Sequence, residues 1–83
     1  MNRLIQINQS ALKHGVSETD ICLALETFIY EDPLEDEQDK FLLVGFDTNG
    51  NLIEIVYEFV DDEIIHVFHA MKCRKGVIEL FER

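Results

Sequence analysis

Two kinds of side chain near the carboxyl-terminal end could do chemistry. Two imidazoles, His66 and His69, precede the thiol of Cys73. Three of the chain's seven basic residues cluster at Lys72, Arg74 and Lys75. Histidine and cysteine can bind zinc, but His66 and His69 are three residues apart in a predicted strand and should point to opposite faces. Because structural zinc needs four converging ligands, we predict no metal site.

A predicted strand register gives His69 a carboxylate partner. It places Glu54 directly opposite His69, on a sheet face that the helices leave partly open. A carboxylate orients a neighbouring imidazole, and such a pair can act as a general acid or base. Adjacent cations suit a phosphodiester, whose negative charge grows in the transition state. Two interpretations follow: a phosphate-handling site, or a solvated ion pair beside an ordinary basic turn.

Length and composition indicate one small domain over residues 1–83. The 83 residues are 47% hydrophobic and 29% charged, which excludes a disordered polar chain. The chain start lacks the pattern of a signal peptide, and no apolar run reaches the ~18 residues of a membrane span. Two cysteines are too few for a disulfide scaffold. We therefore expect a reduced cytoplasmic protein with no membrane partner. The neighbouring cations could lower the pKa of the Cys73 thiol.

The formal net charge of −10 restricts the partners. A phosphate backbone is repelled at long range, so general coating of nucleic acid is excluded, whereas a basic protein partner fits. The most acidic stretch, residues 31–39, contains the only proline and is predicted to be an exposed loop. It is either simply solvated or a contact for a basic partner. Its partner-binding residues would be Glu31, Asp32, Glu35, Asp36, Glu37 and Asp39.

Capping signals predict two helices in the first third of the chain. Asn8 is a good N-cap for a short helix over residues 9–14, which Gly15 would close with His14 at its carboxyl-terminal end. Ser17 resembles the start of a capping box, and apolar residues recur at helical spacing after it. We predict a helix over residues 18–27, and a short strand over residues 3–7 before both.

The second half of the chain is typical of antiparallel sheet. Strands over residues 41–47 and 52–60 flank Asn49-Gly50, which favours a two-residue hairpin turn. This register places Phe46 opposite Ile53 and turns residues 42, 44 and 46 toward the core. A turn at residues 61–62 then pairs Phe59 with Ile64 and places His66 on the core face. A three-residue loop at that turn would break the apolar match.

The elements together predict an α+β fold. Two N-terminal helices pack on an antiparallel meander of three to four strands, and a short helix over residues 76–82 ends the chain. An uncovered edge of the meander would allow a homo-oligomer.

Four segments resemble the BrnT-like toxin family, part of the RelE-type ribonuclease-toxin superfamily. They are Lys-His-Gly-Val-Ser at 13–17, Asp-Pro-Leu at 32–34, the strand at 41–46 with its Asn-Gly turn, and His-Ala-Met-Lys-Cys-Arg at 69–74. The resemblance implies the toxin of a type II toxin–antitoxin system. Such a toxin cleaves RNA without a metal or other cofactor, and an antitoxin that binds DNA silences it.

The resemblance and the residues together assign roles to this site. His69, Glu54 and Arg74 would be catalytic, and Lys72 and Lys75 would bind RNA phosphate. The alternative is a catalytically degenerate, acidic interaction module on the same fold that binds a basic partner.

Overall fold

Five strands form one mixed sheet in the computed structural model, which describes residues 4–34, 37 and 39–82. The elements in chain order are β1 (Leu4–Ile7), a 3-10 turn (Gln9–Leu12), α1 (Glu18–Glu26), β2 (Tyr30–Pro33), β3 (Lys40–Phe46), β4 (Leu52–Phe59), β5 (Ile64–Lys72) and α2 (Lys75–Phe81). None of the helices in the described part is long and apolar enough to cross a membrane.

The strand order β1-β5-β4-β3-β2 confirms the α+β class and corrects its details. β1 pairs with β5 in parallel, and the other neighbours are antiparallel. The first predicted helix is a 3-10 turn of four residues, so α1 is the only α-helix described before the meander. β2 was predicted as loop. Because β1 and β2 cover both edges of the meander, the edge predicted for self-association is not open.

The start of α1 follows the predicted capping pattern. The Ser17 hydroxyl oxygen accepts a hydrogen bond from the Asp20 amide nitrogen at 3.1 Å, which satisfies one of the free amides of the first turn. Ile21 and Ala24 are fully buried against the sheet. Phe28, two residues beyond the helix, is half exposed. The sequence thus predicts this helix to within one residue.

The first hairpin is displaced by one residue from its predicted register. Phe46 pairs with Leu52, and Val44 pairs with Glu54. The Asp47 amide donates to the Asn51 carbonyl oxygen at 2.9 Å, which leaves a three-residue loop over 48–50. An Asp47 carboxylate oxygen caps this loop by accepting hydrogen bonds from the Asn49 and Asn51 amides at 2.9 and 2.8 Å. Gly50 takes the positive φ of +80° that such a loop requires. The faces of β3 are therefore exchanged, and residues 41, 43 and 45 point toward α1.

The second hairpin also contains a three-residue loop. An Asp61 carboxylate oxygen accepts hydrogen bonds from the amides of Glu63 and Ile64, and Phe59 pairs with Ile65 rather than Ile64. The predicted two- or four-residue loop was wrong because it counted apolar pairs and ignored this side-chain cap.

A bulge then shifts the β4–β5 ladder between Val56 and Tyr57. Tyr57 pairs with Val67, whereas Val56 pairs with His69, so Phe68 is an additional residue on β5. The bulge reverses the alternation of β5, which brings His66 and His69 to the same face. The prediction that they point to opposite faces is wrong for this reason. The prediction that His66 lies in the core is wrong because the three-residue loop shifts the register of β5 by one residue, so that Val67 rather than His66 lies opposite Tyr57.

The two faces of the sheet carry separate apolar clusters. The larger cluster lies under α1 and the 3-10 turn and includes Ile21, Ile55 and Val67. The smaller cluster lies on the other face, where Val44, Cys73 and Val77 pack together under α2. The face that was predicted to stay open is thus partly covered by the last helix.

Gly45 sets how closely α1 approaches the sheet. A Cβ at position 45 would lie 2.8 Å from Ala24 Cα and closer still to its carbonyl oxygen. Both groups belong to the backbone of α1, so they could not move away without displacing the helix.

We expect Gly45→Ala to lower the free energy of unfolding by about 2 kcal/mol, because it overpacks this contact. Gly76→Ala is the matched control, since its Cβ would meet no atom within 4 Å. In α2 alanine should stabilise by roughly 0.5 kcal/mol. Urea unfolding of both variants measures the difference, and equal effects would contradict the close approach.

Candidate functional site

Glu54 is the one charged residue that is buried in the described part of the chain, with 0% of its surface exposed. It lies in β4, the central strand, opposite Val44 and on the face that α2 covers. The residues that follow β5 turn back over it. The prediction that this carboxylate lies on an open face is therefore wrong, although its proximity to His69 is observed.

The Glu54 carboxylate accepts four hydrogen bonds. Oε1 accepts from the Arg74 backbone amide at 3.1 Å and from Arg74 Nε at 3.0 Å. Oε2 accepts from Arg74 Nη2 at 2.7 Å and contacts His69 Nε2 at 3.0 Å. Four bonds use the full acceptor capacity of a carboxylate. Arg74 is thus the main partner of Glu54, through a bidentate fork and its own backbone.

These contacts keep Glu54 ionised. Burial by itself raises the pKa of Glu54, but the hydrogen bonds from the Arg74 side chain, the Arg74 backbone and His69 outweigh burial. The net effect lowers the pKa of Glu54 below its ordinary value of 4.5. The same carboxylate raises the pKa of Arg74.

His69 presents one ring nitrogen to Glu54 and the other away from it. An ionised carboxylate can only accept, so Nε2 donates to Glu54 Oε2, and in the neutral form of the ring the lone pair lies on Nδ1. The His69 side chain is 24% exposed, so the imidazole reaches the surface. The His69 ring also meets His14 edge to face, with ring centroids 5.9 Å apart.

The predicted cationic residues surround this pair. Arg74 precedes α2 as its N-cap residue, and its side chain is 61% exposed. Two of its five N–H donors bind Glu54, which leaves three for another ligand. Lys72 and Lys75 are exposed on either side of Arg74. Lys72 and His14 also line a cleft of about 270 Å³.

Cys73 is buried and is not activated by its cationic neighbours. Burial and the Glu54 charge both raise the pKa of the Cys73 thiol, and Arg74 lowers it by less. The expectation of a lowered pKa is wrong, chiefly because the thiol is buried, and also because the Glu54 charge outweighs that of Arg74.

The second histidine–carboxylate pair lies on the same face, away from Lys72, Arg74 and Lys75 but next to Lys40, which pairs with Glu58 across the β3–β4 ladder. His66 Nδ1 lies 3.2 Å from Glu58 Oε2. Within residues 4–34, 37 and 39–82, no three histidine, cysteine or acidic side chains converge as a metal site would require.

The acidic stretch is divided between a strand and a loop. Glu31 and Asp32 belong to β2, and Glu31 accepts a hydrogen bond from the Tyr57 hydroxyl. Glu37 pairs with Lys40 at 3.0 Å, and Asp39 has a φ of +67°. Glu35 and Asp36 lie outside the described residues.

Sequence reasoning missed two features of the site. The first is the Arg74 fork on Glu54, which depends on α2 folding back over β4. The second is His14, interpreted only as a helix-terminal cation. The one signal for His14 was its place in the Lys-His-Gly-Val-Ser segment.

The fold is similar to that of a known ribonuclease toxin. The sequence matches no family profile, and no curated protein matches it significantly. Among solved structures, the crystal structure of the Brucella abortus ribonuclease toxin BrnT matches with a TM-score of 0.63 at 18% sequence identity. The match covers 89% of this chain and 100% of the BrnT chain. The predicted resemblance to BrnT-like toxins is thus confirmed for the fold.

Removing the Arg74 side chain should destabilise the protein. We expect Arg74→Ala to lower the free energy of unfolding by about 2 kcal/mol, less than for a fully buried pair because water can reach the Arg74 position. Lys75→Ala, which removes an adjacent exposed cation, should change it by less than about 0.5 kcal/mol. Urea denaturation compares the two, and equal effects would show that the fork is not stabilising.

The same contacts predict a dependence on pH. Because the folded-state pKa of Glu54 is lowered, its contribution to stability is complete above about pH 4.5 and is lost as the pH falls through the folded pKa. The free energies of unfolding of the wild type and Glu54→Gln should therefore differ most near pH 7 and converge as the pH falls through the lowered pKa of Glu54. A difference in the free energy of unfolding that stays constant from pH 7 into the acid range would contradict an ionised Glu54.

Proposed function

We propose that this chain, which has the fold of the ribonuclease toxin BrnT, is itself a toxin that cleaves RNA and thereby inhibits translation. The Glu54–His69–Arg74 arrangement carries this proposal. It combines an imidazole oriented by an ionised carboxylate with a guanidinium that keeps three free donors. This is the combination that transfer at a phosphodiester requires.

The geometry divides the roles among the residues. His69 is the proton-accepting residue, because its Nδ1 faces away from Glu54 and its ring is partly exposed. Glu54 is a positioning residue, because it is fully buried and cannot touch RNA. It orients His69 and Arg74, as the buried carboxylate of a catalytic triad orients its histidine. Arg74, Lys72 and Lys75 bind the phosphate.

The proposed reaction uses the RNA, these side chains and His14. The ribose 2′-hydroxyl attacks the adjacent phosphorus while His69 Nδ1 takes its proton. An O2′–P bond forms and the P–O5′ bond breaks, which gives a 2′,3′-cyclic phosphate. The leaving 5′-oxygen takes a proton from His14, whose ring packs against His69. Arg74 stabilises the charge that develops on the phosphoryl oxygens.

Charge restricts where RNA can bind. The chain carries a net charge of −10, yet Lys72, Arg74 and Lys75 lie within four positions. RNA would contact these three cations, and the acidic surface elsewhere on the protein would repel it. We propose a type II toxin–antitoxin system in the cytoplasm, with a DNA-binding antitoxin as the partner.

The acidic surface also favours a second candidate function. A charge of −10 slows association with RNA and speeds association with basic proteins. In this alternative the chain is an interaction module on the same fold, and the Glu54–Arg74 fork is only structural.

A cleavage assay with matched histidine variants separates these functions. The purified chain is incubated with fluorescent RNA in EDTA, and we expect cyclic-phosphate products. Because a general base contributes about 100-fold or more, His69→Gln should lower the rate at least that much. His66→Gln is the control, because His66 also contacts a carboxylate on this face but lies away from Lys72, Arg74 and Lys75. It should change the rate less than twofold.

Growth after induction provides the second measurement. The wild type should arrest growth, and His69→Gln at the same soluble level should not. If cells that express the wild type grow normally and the folded protein cleaves no RNA, the ribonuclease hypothesis is rejected. The interaction module is then the better account of the chain. Cleavage of a 2′-deoxy substrate at the same rate would reject the mechanism.

A further inference from the structure

A wide groove opens on the α1 face of the sheet, opposite to the Glu54 site. Its volume is about 970 Å³, and it crosses all five strands beside the carboxyl-terminal end of α1. Strands lie about 4.8 Å apart, so five strands give the groove a length of roughly 19 Å. This length matches about 13 residues of α-helix at a rise of 1.5 Å per residue.

The floor of the groove is apolar and aromatic. The Phe41, Tyr57 and Phe59 rings contact one another, with centroids 5.4 to 5.6 Å apart. Leu25 and the half-exposed Phe28 form the side toward α1. A sheet normally buries such a face under a helix. Tyr57 is already buried here, whereas Phe41 and Phe59 stay partly exposed.

Among residues 4–34, 37 and 39–82, the charged groups that line the groove are carboxylates. Glu26 lies at the end of α1, and Glu31 lies in β2, where the Tyr57 hydroxyl donates to it. None of the described lining residues is basic. A second copy of the chain is a poor occupant, because each copy carries a charge of −10.

We propose that this groove binds an amphipathic α-helix of a partner protein, with its apolar face on the sheet and lysine or arginine residues on its flank. The helix completes the layer that α1 begins, and its cations pair with Glu26 and Glu31. This inference rests on the groove and its charge, so it holds whether or not the chain cleaves RNA.

A pair of peptides tests the proposal. The probes are a roughly 14-residue leucine–lysine peptide with amphipathic helical spacing and its leucine–glutamate counterpart. Fluorescence anisotropy at 150 mM salt should show that the lysine peptide binds at least about tenfold more tightly. Phe28→Ala should weaken its binding about fivefold or more, and so should Glu26→Lys.

Matched variants on the opposite face separate groove binding from general attraction. Leu80 and Phe28 are equally exposed, at 49% and 50%, and Glu79, like Glu26, is an exposed helical glutamate. Leu80→Ala and Glu79→Lys in α2 should change the affinity by less than about twofold. Binding that responds equally to both sets, or binding of both peptides alike, would overturn the proposal. The proposal would also be overturned if sedimentation showed a dimer of the wild type and a monomer of Phe28→Ala, because a second copy of the chain would then occupy the groove.

Discussion

The buried carboxylate of Glu54 joins side chains from three neighbouring parts of the fold. It lies in β4, and it binds His69 in β5 and Arg74 at the start of α2. An ionised group without partners would be costly in this position. Because all four acceptor sites are used, the burial is tolerated, and the same bonds orient the imidazole and the guanidinium. Stability and the proposed chemistry therefore depend on one side chain.

The two faces of the sheet divide the proposed functions. The face under α2 carries Glu54, His69 and the cations, whereas the face under α1 carries the apolar groove with Glu26 and Glu31. This division explains how a chain with a net charge of −10 could still bind a phosphate, since three of its seven basic residues, Lys72, Arg74 and Lys75, cluster on this face. It also lets a protein partner and an RNA bind without competing for the same residues.

The sequence predicted elements better than it predicted their pairing. The Ser17 capping pattern is local, and it located α1 to within one residue. The registers were wrong because Asp47 and Asp61 cap three-residue loops through their side chains, which a count of apolar pairs does not detect. β2 was missed because Glu31 and Asp32 do not favour a strand. Its pairing with β3 supplies what local propensity does not.

The parts of the site that depend on neighbouring residues in the sequence were predicted, whereas the contacts that depend on tertiary packing were not. Glu54 and His69 were predicted as a direct pair. The three-residue loop and the bulge at Phe68 each shift β5 by one residue, which makes them diagonal neighbours on the same face with Oε2 and Nε2 3.0 Å apart. The Arg74 fork could not be predicted, because it depends on where α2 packs. The cation cluster and the hairpin at Asn49-Gly50 were predicted from the sequence, because each is formed by residues close together in the chain.

The most direct test of the central role of Glu54 is the NMR signal of the Arg74 Nε–H group. A guanidinium held by a buried carboxylate should exchange this hydrogen with solvent at least about tenfold more slowly in the wild type than in Glu54→Gln at neutral pH. Equal exchange rates in the two folded proteins would show that the carboxylate does not hold Arg74, and the account of the site would be wrong.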